Sequence, residues 1–155
     1  MLAFIHTVIS LVGIITGLVV AGGLAAGRLL NAWAVLFWVT TVATSATGFF
    51  FASETVGPSQ IIGVLSLVIL AAVFIAQYVR RMAGRWRRTF SVGVVVATYF
   101  NVFVLVVQLF RRLPALLALA PTQSEPPFAF TQGLVFILFA WLAVAADKGF
   151  RTATT

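Results

Sequence analysis

The sequence predicts an all-α protein: an integral membrane bundle of five transmembrane helices, with a short interfacial or re-entrant helix before the last span. Three observations carry this. Hydrophobic residues make up 62% of the 155 positions and charged residues only 8%, too few polar side chains to cover a water-soluble domain of that size. The charged residues cluster at Arg28, Glu54, Arg80 to Arg88, Arg111 and Arg112, Glu125, and Asp147 to Arg151, which leaves five long uncharged intervals. Each interval exceeds the roughly 20 apolar residues that cross about 30 Å of hydrocarbon as a helix.

Taken in order, the spans fall at about 2–27, 32–53, 59–79, 89–110 and 129–146. The first lacks the basic segment that opens a secretory signal, so it reads as a retained helix. On it, Gly13 and Gly17 share a face with His6 and Ser10, and Gly23 lies four residues before Gly27, spacings that let helices approach closely. The second span carries Thr40, Thr41, Thr44, Ser45 and Thr47, whose hydroxyls can each bond a carbonyl one turn back. The third and fifth contain VLSLVILAAVFIA and LVFILFAWLAVAA, apolar on every face, which suits helices and contradicts the alternation of a barrel strand. The fourth bears Thr98, Asn101, Leu105, Gln108 and Arg112 on one stripe. The interval 113–124 is too short to cross, and Pro114 starts its LPALLALA stretch as the interfacial or re-entrant helix.

Orientation follows from the basic residues. Eight of the ten Lys and Arg side chains fall in the first and third turns and the C-terminal tail, which share a side of the membrane. The positive-inside rule puts that side in the cytoplasm, with the N-terminus outside and the C-terminus inside. The net charge of +7 is therefore explained by topology, with Arg80, Arg81, Arg85, Arg87 and Arg88 also able to meet anionic headgroups, and nucleic acid is not an expected partner. Trp33, Tyr78 and Trp86 fall near the inner interface as belt residues, while Phe49, Phe50, Phe51, Phe128 and Phe130 lie near the outer one.

With no Cys, a single His and two Met, the chain offers no thiolate chemistry and no pair of axial ligands for haem, and no cofactor is expected. Metal binding by His6, Glu54 and Glu125 has no supporting ligand spacing.

The polar side chains lie toward the outer face. Asn101, Gln108, His6, Ser10, Thr44, Thr47 and Gln132 form the candidate ligand-binding or pore-lining set, with Glu54, Glu125 and Arg112 as nearby loop charges. An amide in hydrocarbon costs several kcal/mol if unpaired, so Asn101 and Gln108 either line a polar site or tie helices together by hydrogen bonds.

Three function classes remain open. An outward-facing pocket would bind a small amphipathic or lipidic ligand, or the chain would serve as an accessory subunit; a one-sided polar cluster fits this best. A passive channel or transporter, acting as a homo-oligomer, is the alternative, and the scarcity of polar groups in the inner halves, Asn31 and Gln77 apart, argues against a continuous pore. An intramembrane enzyme has least support, since His6 and Ser10 are the only local base and hydroxyl pair.

The segments NVFVLVVQ (Asn101 to Gln108) and LAPTQSEPPF (Leu119 to Phe128) resemble stretches of small uncharacterised bacterial inner-membrane proteins, a resemblance that implies a bacterial plasma-membrane location and no particular activity. Length and span count are also similar to the tryptophan-rich sensory (translocator) family of porphyrin and lipid binders. Its Trp-rich and Pro-rich motifs are missing, so that similarity is architectural and transfers no residue.

Overall fold

The computed structural model describes residues 1–51 and 58–152, and every regular element in them is helical. Helix α1 spans Leu2–Ala25, α2 Asn31–Gly48 with a 3₁₀ turn at Phe49–Phe51, and α3 Pro58–Phe74 with a π turn at Ile75–Val79. After these come α4 at Trp86–Arg112, the short α5 at Pro114–Leu119, and α6 at Pro126–Thr152. Four helices, α1, α3 with its π turn, α4 and α6, are long and apolar enough to cross a membrane. The 18-residue α2, diluted by Asn31 and its hydroxyls, is not among them.

Local chemistry sets the helix ends. Proline at the first position of α3, α5 and α6 surrenders only an N–H that the first turn leaves unbonded anyway. Helix α1 stops in a Schellman turn: Arg28 N–H donates to Gly23 O at 2.7 Å, Gly27 N–H donates to Leu24 O at 3.0 Å, and Gly27 takes φ 74°. Gly27 therefore terminates the helix, and the expected Gly23–Gly27 packing face is corrected to this role. The uncharged intervals also understate two helices. Long Arg side chains at a span's end can carry their charge toward water, and the acid Asp147 is paired with one of them, so α4 begins at Trp86 and α6 runs on through Asp147 to Thr152.

In cross-section α1 and α4 are central. Helix α1 packs against α2, α4 and α6; α4 packs against α1, α3 and α6; and α2 closes against α3. The chain's connectivity brings Arg28, the 80–88 turn and the C-terminal residues to one end, hereafter the arginine-rich end. Leu24, Phe37, Leu70, Phe90 and Val94, all fully buried, fill the core in that half. A second small cluster at the far end joins Val106 and Phe110 of α4 to Ala120, Phe128 and Val135.

Candidate functional site

The described polar side chains singled out in the sequence occupy separate helix contacts. At the far end, His6 Nδ1 lies 2.8 Å from Thr47 Oγ1, joining α1 to α2. The Thr47 hydroxyl donates to Ala43 O at 2.7 Å, so its oxygen is left to accept from the imidazole. Ser10 donates to His6 O at 2.7 Å within its own helix, and Thr44 Oγ1 is buried with no hydrogen-bond partner among the described residues. Glu54 lies outside the described residues.

Deeper in the bundle, buried Asn101 donates from Nδ2 to Thr41 Oγ1 at 3.5 Å. Gly13 packs beside this contact: a Cβ there would stand at ordinary contact distance, 3.4 Å from Thr41 Oγ1 and 3.5 Å from Asn101 Nδ2. Gln108 lies on the same stripe but nearer the helix end, half-buried, and accepts from Arg112 Nε at 3.2 Å within α4. The stripe thus meets α2 at Asn101 and its own helix at Gln108. On α6, Gln132 donates from Nε2 to Phe103 O at 3.2 Å, and its buried Oε1 has no hydrogen-bond partner among the described residues. Since a polar contact between membrane helices contributes about 0.6 kcal/mol and at most about 1.7 kcal/mol, Asn101→Leu is expected to lower stability within that range while preserving the fold. Unfolding by SDS in mixed micelles measures it, and a loss well above that range would mean the amide does more than tie α4 to α2.

The segment before α6 is a self-satisfied hairpin. Its Leu116 and Ala120 pack in one cluster with Phe110 of α4 and Phe128 of α6, whose rings meet edge-on at 5.3 Å, and Gln123 Nε2 donates to Val107 O at 2.9 Å. Glu125 organises the turn: Oε1 accepts from Thr122 Oγ1 at 2.8 Å and Thr122 N at 3.1 Å, and Oε2 accepts from Ser124 N at 3.1 Å. Loss of hydration raises the Glu125 pKa, but the Thr122 hydroxyl and the surrounding backbone N–H groups outweigh it, so the carboxyl sits below its ordinary value of 4.5. A depressed carboxylate stabilises the turn fully above that ordinary value, and the contribution is lost as pH falls through the lower folded value. Hydrogen exchange at Thr122 and Ser124, corrected for intrinsic rate and followed from about pH 6 to about pH 3, should show protection disappearing, and Glu125→Gln should abolish the pH dependence. A cup of about 300 Å³ lies between this hairpin and Arg111.

The larger cavity is at the other end. A groove of about 730 Å³ runs over α4 between α3 and α6, its wall apolar through Ile69, Ala72, Val92 and Val96, its rim formed by Arg85, Arg87, Arg88 and Arg151. Beside it lies Asp147, 6% exposed although charged. Its Oδ2 meets Arg151 Nη2 at 2.8 Å and Arg88 Nε at 3.8 Å, while Oδ1 has no hydrogen-bond partner among the described residues. Arg87 lies over the Phe150 ring, 5.6 Å from its centroid, and Arg80 over Trp86 at 5.4 Å. Sequence reasoning placed Asp147 in the charged cluster, Asp147 to Arg151, that ends the last span. The four-residue spacing from Asp147 to Arg151, one turn of a continuing helix, was the signal available for its burial.

Among the described residues no three His, Asp or Glu side chains come together to hold a metal ion. Comparison of the chain with protein families, with curated proteins and with solved structures returns no match.

Proposed function

We propose that this chain is a five-span membrane protein, N-terminus outside and C-terminus in the cytoplasm, that binds an amphipathic, lipidic molecule from within the bilayer. The observation that carries the reading is the groove over α4, apolar along its wall and cationic at its rim. A route through the monomer is disfavoured: Phe37, Phe90, Leu24 and Leu70 close the bundle's centre, and the hydroxyls of Thr16 and Thr98 bond their own helices. Helix α2 supports the fifth crossing because it packs between α1 and α3, both long enough to span. Its α-helical and 3₁₀ portions together reach about 33 Å.

A second reading rests on α6, the least buried of the four long apolar helices, whose Phe130, Ile137 and Trp141 are 64–78% exposed. A partner helix in a larger assembly would cover that face, making the chain an accessory subunit.

Native mass spectrometry of protein gently extracted from its own membrane tests both. The binding reading expects a monomer or small oligomer carrying a discrete amphipathic mass. Bare protein that passes solutes in liposomes would overturn it, and a co-purified protein subunit would favour the second reading. Because the chain has no Cys, single cysteines at Gln123 and Arg81 test the orientation: an impermeant thiol reagent should reach the first from outside and not the second.

A further inference from the structure

We infer that the groove over α4 is a site for an anionic phospholipid, whose phosphate meets Arg85, Arg88 and Arg151 while one acyl chain lies along the α3–α4 seam past Ala72 toward Val96. The inference rests on the reading that this groove takes a lipidic ligand, and it names the ligand's class.

Shape and charge agree on that class. From Arg88 to Val96 the groove descends about 12 Å along α4, most of one leaflet's hydrocarbon depth. The lining changes over that distance from guanidinium to methyl groups: Thr89 follows the arginines, then Val92, Gly93 and Val96. Such a gradient matches a molecule with a charged head and an alkyl tail, and a small soluble anion would leave the apolar part unused. Gly93 sets the depth, because a Cβ there would run into Val73 and push α3 away from α4.

An anionic head is the complement of a rim lined by Arg85, Arg87, Arg88 and Arg151. Among the described residues Asp147 is the acid that meets this rim, and its carboxylate faces both Arg151, at 2.8 Å, and Arg88, at 3.8 Å. Held by Asp147, those two guanidinium groups are oriented yet remain 55% and 73% exposed, and Arg85 and Arg87 add to the rim. Planar guanidinium donors match phosphate oxygens in pairs, and such charge-assisted bonds are the stronger kind. A zwitterionic head would bring a cation to the same rim.

The test uses the full-length protein in detergent, offered an equal mixture of dioleoyl phosphatidylglycerol and dioleoyl phosphatidylcholine, with bound lipid counted by native mass spectrometry. One phosphatidylglycerol per chain is expected, favoured about tenfold or more, since both phosphates can meet the arginines but only the choline head adds a like charge beside them. Arg85→Gln/Arg88→Gln should remove that preference, whereas Arg80→Gln/Arg81→Gln, which deletes the same charge outside the groove, should change binding less than about twofold. Ala72→Phe fills the groove without altering charge and should also displace the lipid, which keeps the test decisive if the double arginine variant misfolds.

Equal losses in the two arginine pairs would overturn the inference in favour of diffuse surface attraction. Glycerol phosphate binding as tightly as the lipid would overturn it in favour of a soluble anion. If phosphatidylcholine binds equally and Ala72→Phe removes both lipids, the anionic assignment fails and the lipid-binding reading stands. If no lipid is retained and Ala72→Phe changes nothing, both fail.

Discussion

Gly149→Ala is expected to destabilise the bundle by about 3 kcal/mol, the upper part of the range for overpacking, while the same exchange at Gly22 stabilises it by up to about 1 kcal/mol. A Cβ on Gly149 would fall inside the contact radius of the Ala25 carbonyl and within 2.8 Å of Leu24 O, so the obstacle is backbone at the end of α1. A side chain could rotate away, but this backbone is held by the Schellman turn that ends the helix, and α6 would have to lift from α1. Gly17→Ala should fall between the two. Its Cβ would meet Thr98 and Phe37, both buried, with the Thr98 hydroxyl tied to Val94 O at 2.8 Å. At Gly22 nothing lies within 4 Å, so only the helix propensity gain remains. Unfolding in SDS mixed micelles should give that order. Equal effects at Gly22 and Gly149 would mean that α1 and α6 do not cross as described.

The same glycines show what is readable from a membrane sequence. Positions of the long helices were legible because charge is costly in hydrocarbon, so Arg28, Arg80 to Arg88, Arg111 and Asp147 interrupt the apolar runs wherever the chain nears water. Helix ends were less legible, since long basic side chains and a paired acid can sit a turn inside a helix. Which glycine packs and which terminates was not legible: Gly13, Gly17, Gly23 and Gly27 look alike in sequence, yet only the φ of Gly27 marks the stop. Asn101 could be picked out as a buried amide because it interrupts an apolar run. Gln108, on the same stripe, finds a different partner, because periodicity reports the angle around a helix and not the level at which its neighbours stand. The groove over α4 had no polar signature below its rim. Ala72, Val92, Gly93 and Val96 are the residues any membrane helix contains, and only the separation of α3 from α6 turns them into a cavity.

Asp147 and Arg151 should respond unequally to removal, and the inequality tests whether the acid is truly enclosed. The Asp147 side chain is 9% exposed and that of Arg151 55%. Arg151→Ala strands a buried carboxylate that keeps, among the described residues, the 3.8 Å contact to Arg88, and Arg88 must turn from the water it largely faces to compensate. Removing one partner of a buried pair costs about 3–5 kcal/mol, and the surviving Arg88 should hold the loss to the lower end, about 3 kcal/mol. Asp147→Asn instead leaves two guanidinium groups that can rehydrate, and its expected cost is under about 1 kcal/mol, as for exposed pairs. With the stranded charge removed, Arg151→Ala/Asp147→Asn should be more stable than Arg151→Ala alone, giving a coupling of about 2–3 kcal/mol in a double-mutant cycle. Equal small losses for both single variants would place Asp147 in contact with water and make the pair a surface ion pair. The predicted asymmetry would mean that the carboxylate is an internal counter-ion, needed in the bundle because it holds Arg88 and Arg151 at the groove.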